Sequence, residues 1–80
     1  MRIDKFLKVS RILKRRTVAQ EACDAGKVIV NGKEAKPSHR IKVGDVVEII
    51  YRTGALKFAV KEIKEHVKKD EACELYEIIE

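Results

Sequence analysis

The dipeptide Asn31-Gly32 constrains this chain more than any other pair. A two-residue hairpin needs positive φ at both central positions, and Asn and Gly supply it at little cost. The β-branched run Lys27-Val28-Ile29-Val30 before it and Lys33-Glu34-Ala35 after it therefore predict an antiparallel hairpin. Gly26 just upstream is placed to stop a helix, since a helix end often needs a left-handed residue. Thr17 followed by Gln20 reads as a capping box opening that helix, with Val18, Ala19, Ala22 and Cys23 as its inner face. Earlier still, Ile3, Phe6, Leu7, Ser10 and Leu13 recur at steps of three and four. They predict a first helix with Arg2, Lys5, Lys8, Arg11 and Lys14 on its other faces. Asp4 suits the start of this helix as a local cap, and Lys14-Arg15-Arg16 closes it.

Downstream of a loop containing Pro37, Val43-Gly44-Asp45 reads as a turn and Val46 to Tyr51 as a buried strand. After the turn Arg52-Thr53-Gly54, the alternation of Leu56, Phe58 and Val60 with Lys57, Ala59 and Lys61 predicts a half-buried strand from Leu56 to Ile63. Residues 65–73 read as loosely helical, and Leu75 to Ile79 as a last strand. The order is two helices, a hairpin and a small, mostly antiparallel sheet, an α+β fold. Eighty residues predict one domain whose core supplies only a few kcal/mol.

Charge is strongly polarised along the chain. Residues 1–42 carry twelve Lys or Arg against four Asp or Glu, while residues 43–80 carry six against nine. A domain that lays one side on phosphates and keeps the other in water produces this asymmetry; a uniformly solvated surface does not need it. Cys23 and Cys73 have neither C-x-x-C spacing nor a His pair nearby, so both read as reduced core residues rather than metal ligands, and no cofactor is expected. No run approaches the roughly 18 apolar residues of a membrane span, and Lys5, Lys8 and Arg11 break up any signal-peptide pattern. The expected location is cytoplasmic, with no membrane partner.

Two basic clusters are the candidate site. Arg2, Lys8, Arg11, Lys14, Arg15 and Arg16 fall within fifteen residues, and Arg15, Arg16 and Thr17 adjoin a helix start, where free N–H groups favour an anion. Asn31 and Lys33 at the hairpin, then Lys36, Ser38, His39 and Arg40, form the second. Packed side by side, the two would line one positive surface. His39, His66, Ser10 and Ser38 lack the neighbours that nucleophilic or acid–base catalysis requires, which argues against an enzyme.

The run from Arg2 to Tyr51 resembles the S4 RNA-binding domain, or αL motif. The likeness rests on Arg2-Ile3-Asp4-Lys5-Phe6-Leu7, Ser10-Arg11, Arg16-Thr17-x-Ala19, Gly26-x-Val28-x-Val30-Asn31-Gly32, Lys36-Pro37-Ser38 and Val43-Gly44-Asp45-Val46. It implies a core motif over about residues 2–51 with a sheet extension over residues 52–80. Lys14-Arg15-Arg16-Thr17 and the tail Lys68-Lys69-x-Glu71-Ala72 with Tyr76-x-Ile78-Ile79 are similar to the short S4 proteins of bacterial ribosome-associated quality control. That resemblance implies a factor, monomeric when free, on a large ribosomal subunit obstructed by peptidyl-tRNA. It would contact 23S ribosomal RNA and tRNA and support C-terminal alanine tailing by an RqcH-type factor. The heat-shock S4 rescue proteins carry a longer basic tail, whereas this chain ends in Glu74, Glu77 and Glu80. A DNA-binding helix-turn-helix fits less well, because the second helix offers Gln20, Glu21 and Asp24 where base readers should stand. An acidic sheet side could also serve protein contacts.

Overall fold

Residues 1–79 are described by the computed structural model; Glu80, read above as part of the acidic end, lies outside the described residues. Helix α1 (Ile3–Val9) forms because Ile3, Phe6 and Leu7 share one face, and all three are fully buried. It stops well before Lys14-Arg15-Arg16. Ser10 caps it, and Arg11 turns left-handed with φ 63°. Arg11 N–H then donates to Lys8 O and Leu13 N–H to Leu7 O, each at 3.0 Å, which occupies carbonyls the helix leaves open and brings Ile12 and Leu13 onto the core. Lys14 and Arg15 consequently stand in the link between helices rather than on a helix flank.

Helix α2 (Arg16–Asp24) begins with Arg15 in the cap position and no side-chain cap, so the expected Thr17–Gln20 capping box does not form. A stronger partner takes Gln20, which donates to Asp4 instead. Ala19 and Cys23 face inward as expected, but Val18 is 42% exposed. Gly26 ends the helix at φ 73°, with Gly26 N–H on Cys23 O and Lys27 N–H on Ala22 O, the paired bonds of a Schellman stop.

The chain then enters β1 (Val28–Val30), turns through Asn31 and Gly32, both at positive φ, and returns as β2 (Lys33–Glu34). Strands β3 (Val46–Tyr51), β4 (Gly54–Val60) and β5 (Tyr76–Ile78) complete a wholly antiparallel sheet of order β2-β1-β3-β4-β5. β4 ends three residues short of Ile63, because Lys61 and Glu62 donate their N–H groups to Leu75 O rather than extending the β3 ladder. The charged stretch that follows is helical only at its end, as a 3₁₀ helix over Lys69–Leu75.

Register places Val28, Val30, Val47, Ile49 and Phe58 on one face of the sheet, where the two helices cover them. Phe6 of α1 stacks on Phe58 with ring centroids 6.3 Å apart, and Tyr76 meets Phe58 edge-on at 5.5 Å, so three of the four aromatics form one cluster in which helix meets sheet. The opposite face carries Glu34, Glu48, Lys57 and Glu77 in register. Cys23 is buried, and burial together with the charges of Asp4 and Asp24 pushes its thiol up to about 11. Cys73, expected inside as well, is exposed on the 3₁₀ helix, because the tighter winding turns Ala72 and Leu75 inward in its place. Among the described residues no helix is long and apolar enough to cross a membrane, and no group of His, Cys, Asp and Glu could hold a metal ion.

Candidate nucleic-acid interface

Asp4 lies beside Ile3 and Leu7 on the face of α1 that packs inward, and its side chain is fully buried. A carboxylate in that position needs partners, since an isolated buried charge is very unfavourable. It has several. Lys5 N–H donates to Oδ1 at 2.8 Å and Gln20 Nε2 to Oδ2 at 3.0 Å. Arg16 grips both oxygens, Nε to Oδ2 at 3.2 Å and Nη2 to Oδ1 at 3.3 Å, and Arg2 Nη2 reaches Oδ2 at 3.2 Å. Burial alone would raise the carboxyl pKa. The hydrogen bonds from Gln20, Arg16 and the Lys5 amide, with the Arg16 charge, outweigh it and hold Asp4 below its ordinary value.

The consequence falls on the arginines. The side chains of Arg2 and Arg16 are 44% and 42% exposed, so each is tethered by one edge to Asp4 and presents the rest of its guanidinium to solvent. A guanidinium carries five N–H donors, and Asp4 occupies two on Arg16 and one on Arg2. The others are not used by Asp4, and the guanidinium planes are held by it in a fixed orientation. Ordering long side chains on binding normally costs about 0.5–1.5 kcal/mol each, and this tether removes part of that cost.

The second basic cluster is fastened to the same place. Ile3 N–H donates to His39 O at 2.7 Å, Asp4 N–H to Pro37 O at 3.4 Å, and Arg2 pairs with Arg40 as an isolated antiparallel bridge. Lys36 and Arg40, both exposed, therefore border the amino end of α1 beside Arg2. Lys33 is exposed on β2. Lys14 and Arg15 in the link and Thr17 in the first turn of α2 are exposed, and among the described residues their side chains make no hydrogen bond to Asp4 of the kind that holds Arg16.

Three of the expected contacts stand apart from the Asp4 cluster. Lys8, in the last turn of α1, and Arg11, just past its carboxyl end, line a polar notch of about 90 Å³ with Glu65, His66 and Val67, beside the Lys5–Glu65 ion pair. Asn31 is exposed, yet both ends of its side-chain amide are bonded within the protein: Nδ2 donates to Asp45 Oδ1 at 3.1 Å, and Oδ1 accepts from Val46 N–H at 2.9 Å. Its amide locks the hairpin to the turn before β3. Sequence reasoning missed Asp4 and Gln20 as members of the site. A signal was present, because Asp4 falls on the apolar stripe of a basic helix, where a carboxylate demands cationic partners.

Residues 1–47 match the S4 domain family, and the chain belongs to it. It is 53% identical over 79 residues to the RQC P-site tRNA stabilizing factor of Streptococcus pneumoniae (strain ATCC BAA-255 / R6), covering 99% of this chain and 90% of the relative. The protein of the same name from Bacillus subtilis (strain 168) is 44% identical, with 99% and 92% covered. Among solved structures, the trimeric structure of Vibrio cholerae Heat Shock Protein 15 superposes with a TM-score of 0.91 at 29% identity, covering 99% of this chain and 81% of that one.

Proposed function

We propose that this protein is a non-enzymatic RNA-binding factor of ribosome-associated quality control, acting in the cytoplasm. It is a single S4 domain that binds a large ribosomal subunit obstructed by peptidyl-tRNA, contacting 23S ribosomal RNA and the tRNA. Monomeric when free, it supports the addition of C-terminal alanine tails by an RqcH-type factor. The observation that carries the reading is the buried Asp4 holding Arg2 and Arg16 to one side of the helix pair, beside Lys36 and Arg40. This is found in a chain similar along nearly its whole length to factors named for stabilizing tRNA in the P site. A domain with four aromatic residues, two of them packed at its centre, is suited to reading RNA shape and backbone rather than stacking runs of bases. The heat-shock S4 proteins share the fold, but the higher identity favours the quality-control reading.

Counterion release makes such binding steeply salt-dependent. With Arg2, Arg15, Arg16, Lys33, Lys36 and Arg40 on phosphates, affinity for isolated large subunits should fall about 10³-fold between about 50 and about 200 mM salt. Cosedimentation across a salt series measures this. Binding that is flat with salt, or equal competition by duplex DNA at matched salt, contradicts the reading.

A further inference from the structure

We propose that the groove between the β1–β2 hairpin and the Pro37 loop is a pocket for one unstacked RNA nucleotide, with the His39 ring as its stacking surface. This rests on the RNA-binding reading and adds to it a site that grips a base rather than a phosphate. The groove measures about 430 Å³, within the range of about 300–1,000 Å³ usual for small-ligand sites. Val30, Asn31, Lys33, Glu34, Ala35 and His39 line it.

Its shape follows from the chain path. β2 is only two residues long, and after Ala35 the chain departs toward the amino end of α1, so the groove opens between the hairpin and the loop that follows it. Val30 pairs directly with Lys33, and Ala35 lies two residues further along the same face, so an apolar floor of Val30 and Ala35 sits under a cationic rim at Lys33. Glu34 projects from the other face of the strand and leans over Gly26, where its carboxylate leaves no room for a Cβ. The far wall is the exposed His39. Its backbone carries the structural bonds, N–H to Lys36 O and O from Ile3 N–H, while its exposed side chain lines the groove.

The surroundings select the ligand. His39 adjoins Arg40, and Arg40 is bridged to Arg2, so a base entering the groove keeps its own phosphates among Arg2, Lys33, Lys36 and Arg40. Small apolar floor, aromatic wall and cationic rim match a base with its backbone. Sequence-specific RNA recognition commonly works this way, on bases splayed out of loops and bulges and stacked on aromatic or His side chains.

Stacking and charge contacts separate in a salt series, because stacking is insensitive to counterions whereas phosphate contacts set the slope. The test measures binding of His39→Ala, His39→Phe and the parent to isolated large ribosomal subunits at several salt concentrations. Stacking energies of about 1–3 kcal/mol per base correspond to a loss for His39→Ala of about fivefold to 150-fold. That loss should be equal at every salt, with the slope unchanged, and His39→Phe should restore most of the affinity. Binding of His39→Ala equal to the parent overturns the pocket and leaves the functional reading intact. A reduced slope makes His39 a charge contact and also overturns the pocket. A parent that does not bind large subunits overturns both.

Discussion

Arg16→Glu should abolish detectable binding to large ribosomal subunits and also lower the thermal midpoint of the free protein. The two effects have different origins. Arg16 is the bidentate partner of a fully buried carboxylate, so the substitution removes two charge-assisted hydrogen bonds and brings a second negative charge to Asp4. Bonds to charged groups are worth about 1.5–3 kcal/mol, and the partial exposure of Arg16 places its share at the low end, about 1.5 kcal/mol. For a domain of this size that is a fall of about 6–12 °C in the midpoint. The affinity loss comes from reversing a charge inside the face, and should exceed about 100-fold at low salt. Arg16→Ala separates the two: Arg2, Gln20 and the Lys5 amide still satisfy Asp4, so most of the stability returns while one phosphate contact remains lost. Calorimetry alongside cosedimentation reads both. An Arg16→Glu protein that is folded and binds as the parent does removes Arg16 from the interface.

Asp4→Asn should weaken binding although Asp4 itself is buried and touches no ligand. The amide keeps the size of the carboxylate but loses the charge that orients Arg2 and Arg16, and turns an NH₂ group toward one of its former donors. We expect about a tenfold loss of affinity, the equivalent of about 1.4 kcal/mol, with both arginines still present. The stability effect depends on pH in a defined direction. Asp4 has a carboxyl pKa held below its unfolded value near 3.9, so its contribution is complete above about pH 4 and is lost as pH falls through the folded value. The difference in thermal midpoint between parent and Asp4→Asn should therefore be widest near neutrality and close below pH 4, measured by thermal denaturation at stepped pH. A gap that stays constant into acid shows that the carboxylate charge is not what holds the cluster.

Much of the fold was written locally. Asn31-Gly32 dictated its turn because few other pairs tolerate positive φ twice, and Gly26 dictated a helix stop for the same reason. The alternation from Leu56 to Val60 was readable because β4 buries one face only, whereas the β-branched run from Val46 to Tyr51, read as a buried strand, buries Val47 and Ile49 and leaves Ile50 and Tyr51 exposed. What local pattern did not reveal were choices made by tertiary contacts. Thr17 and Gln20 have the spacing of a capping box, yet the buried carboxylate of Asp4, thirteen positions before Thr17, is a better partner for Gln20 than a backbone amide in water. α1 ended at Ser10 because Arg11 adopts a conformation its residue type does not advertise. Cys73 faced outward because a 3₁₀ turn, not an α-helix, sets the period there. The basic character of the site was plain from composition, but the bond from Asn31 to Asp45 was not, because it spans fourteen residues. Lys8 and Arg11 were grouped with the rest by proximity in sequence, whereas the structure sets them in a notch with residues 65–67.

The sheet has two unlike sides, and RNA should meet only the one that the helices cover. Ultraviolet crosslinking of the full chain to isolated large subunits, followed by mass spectrometric mapping of RNA-bearing peptides, reads that assignment directly. Adducts should concentrate on the peptides spanning residues 2–17 and 33–40. Adducts concentrated instead on the strands that present Glu48, Lys57 and Glu77 would contradict it, because RNA would then lie against the face opposite the anchored arginines.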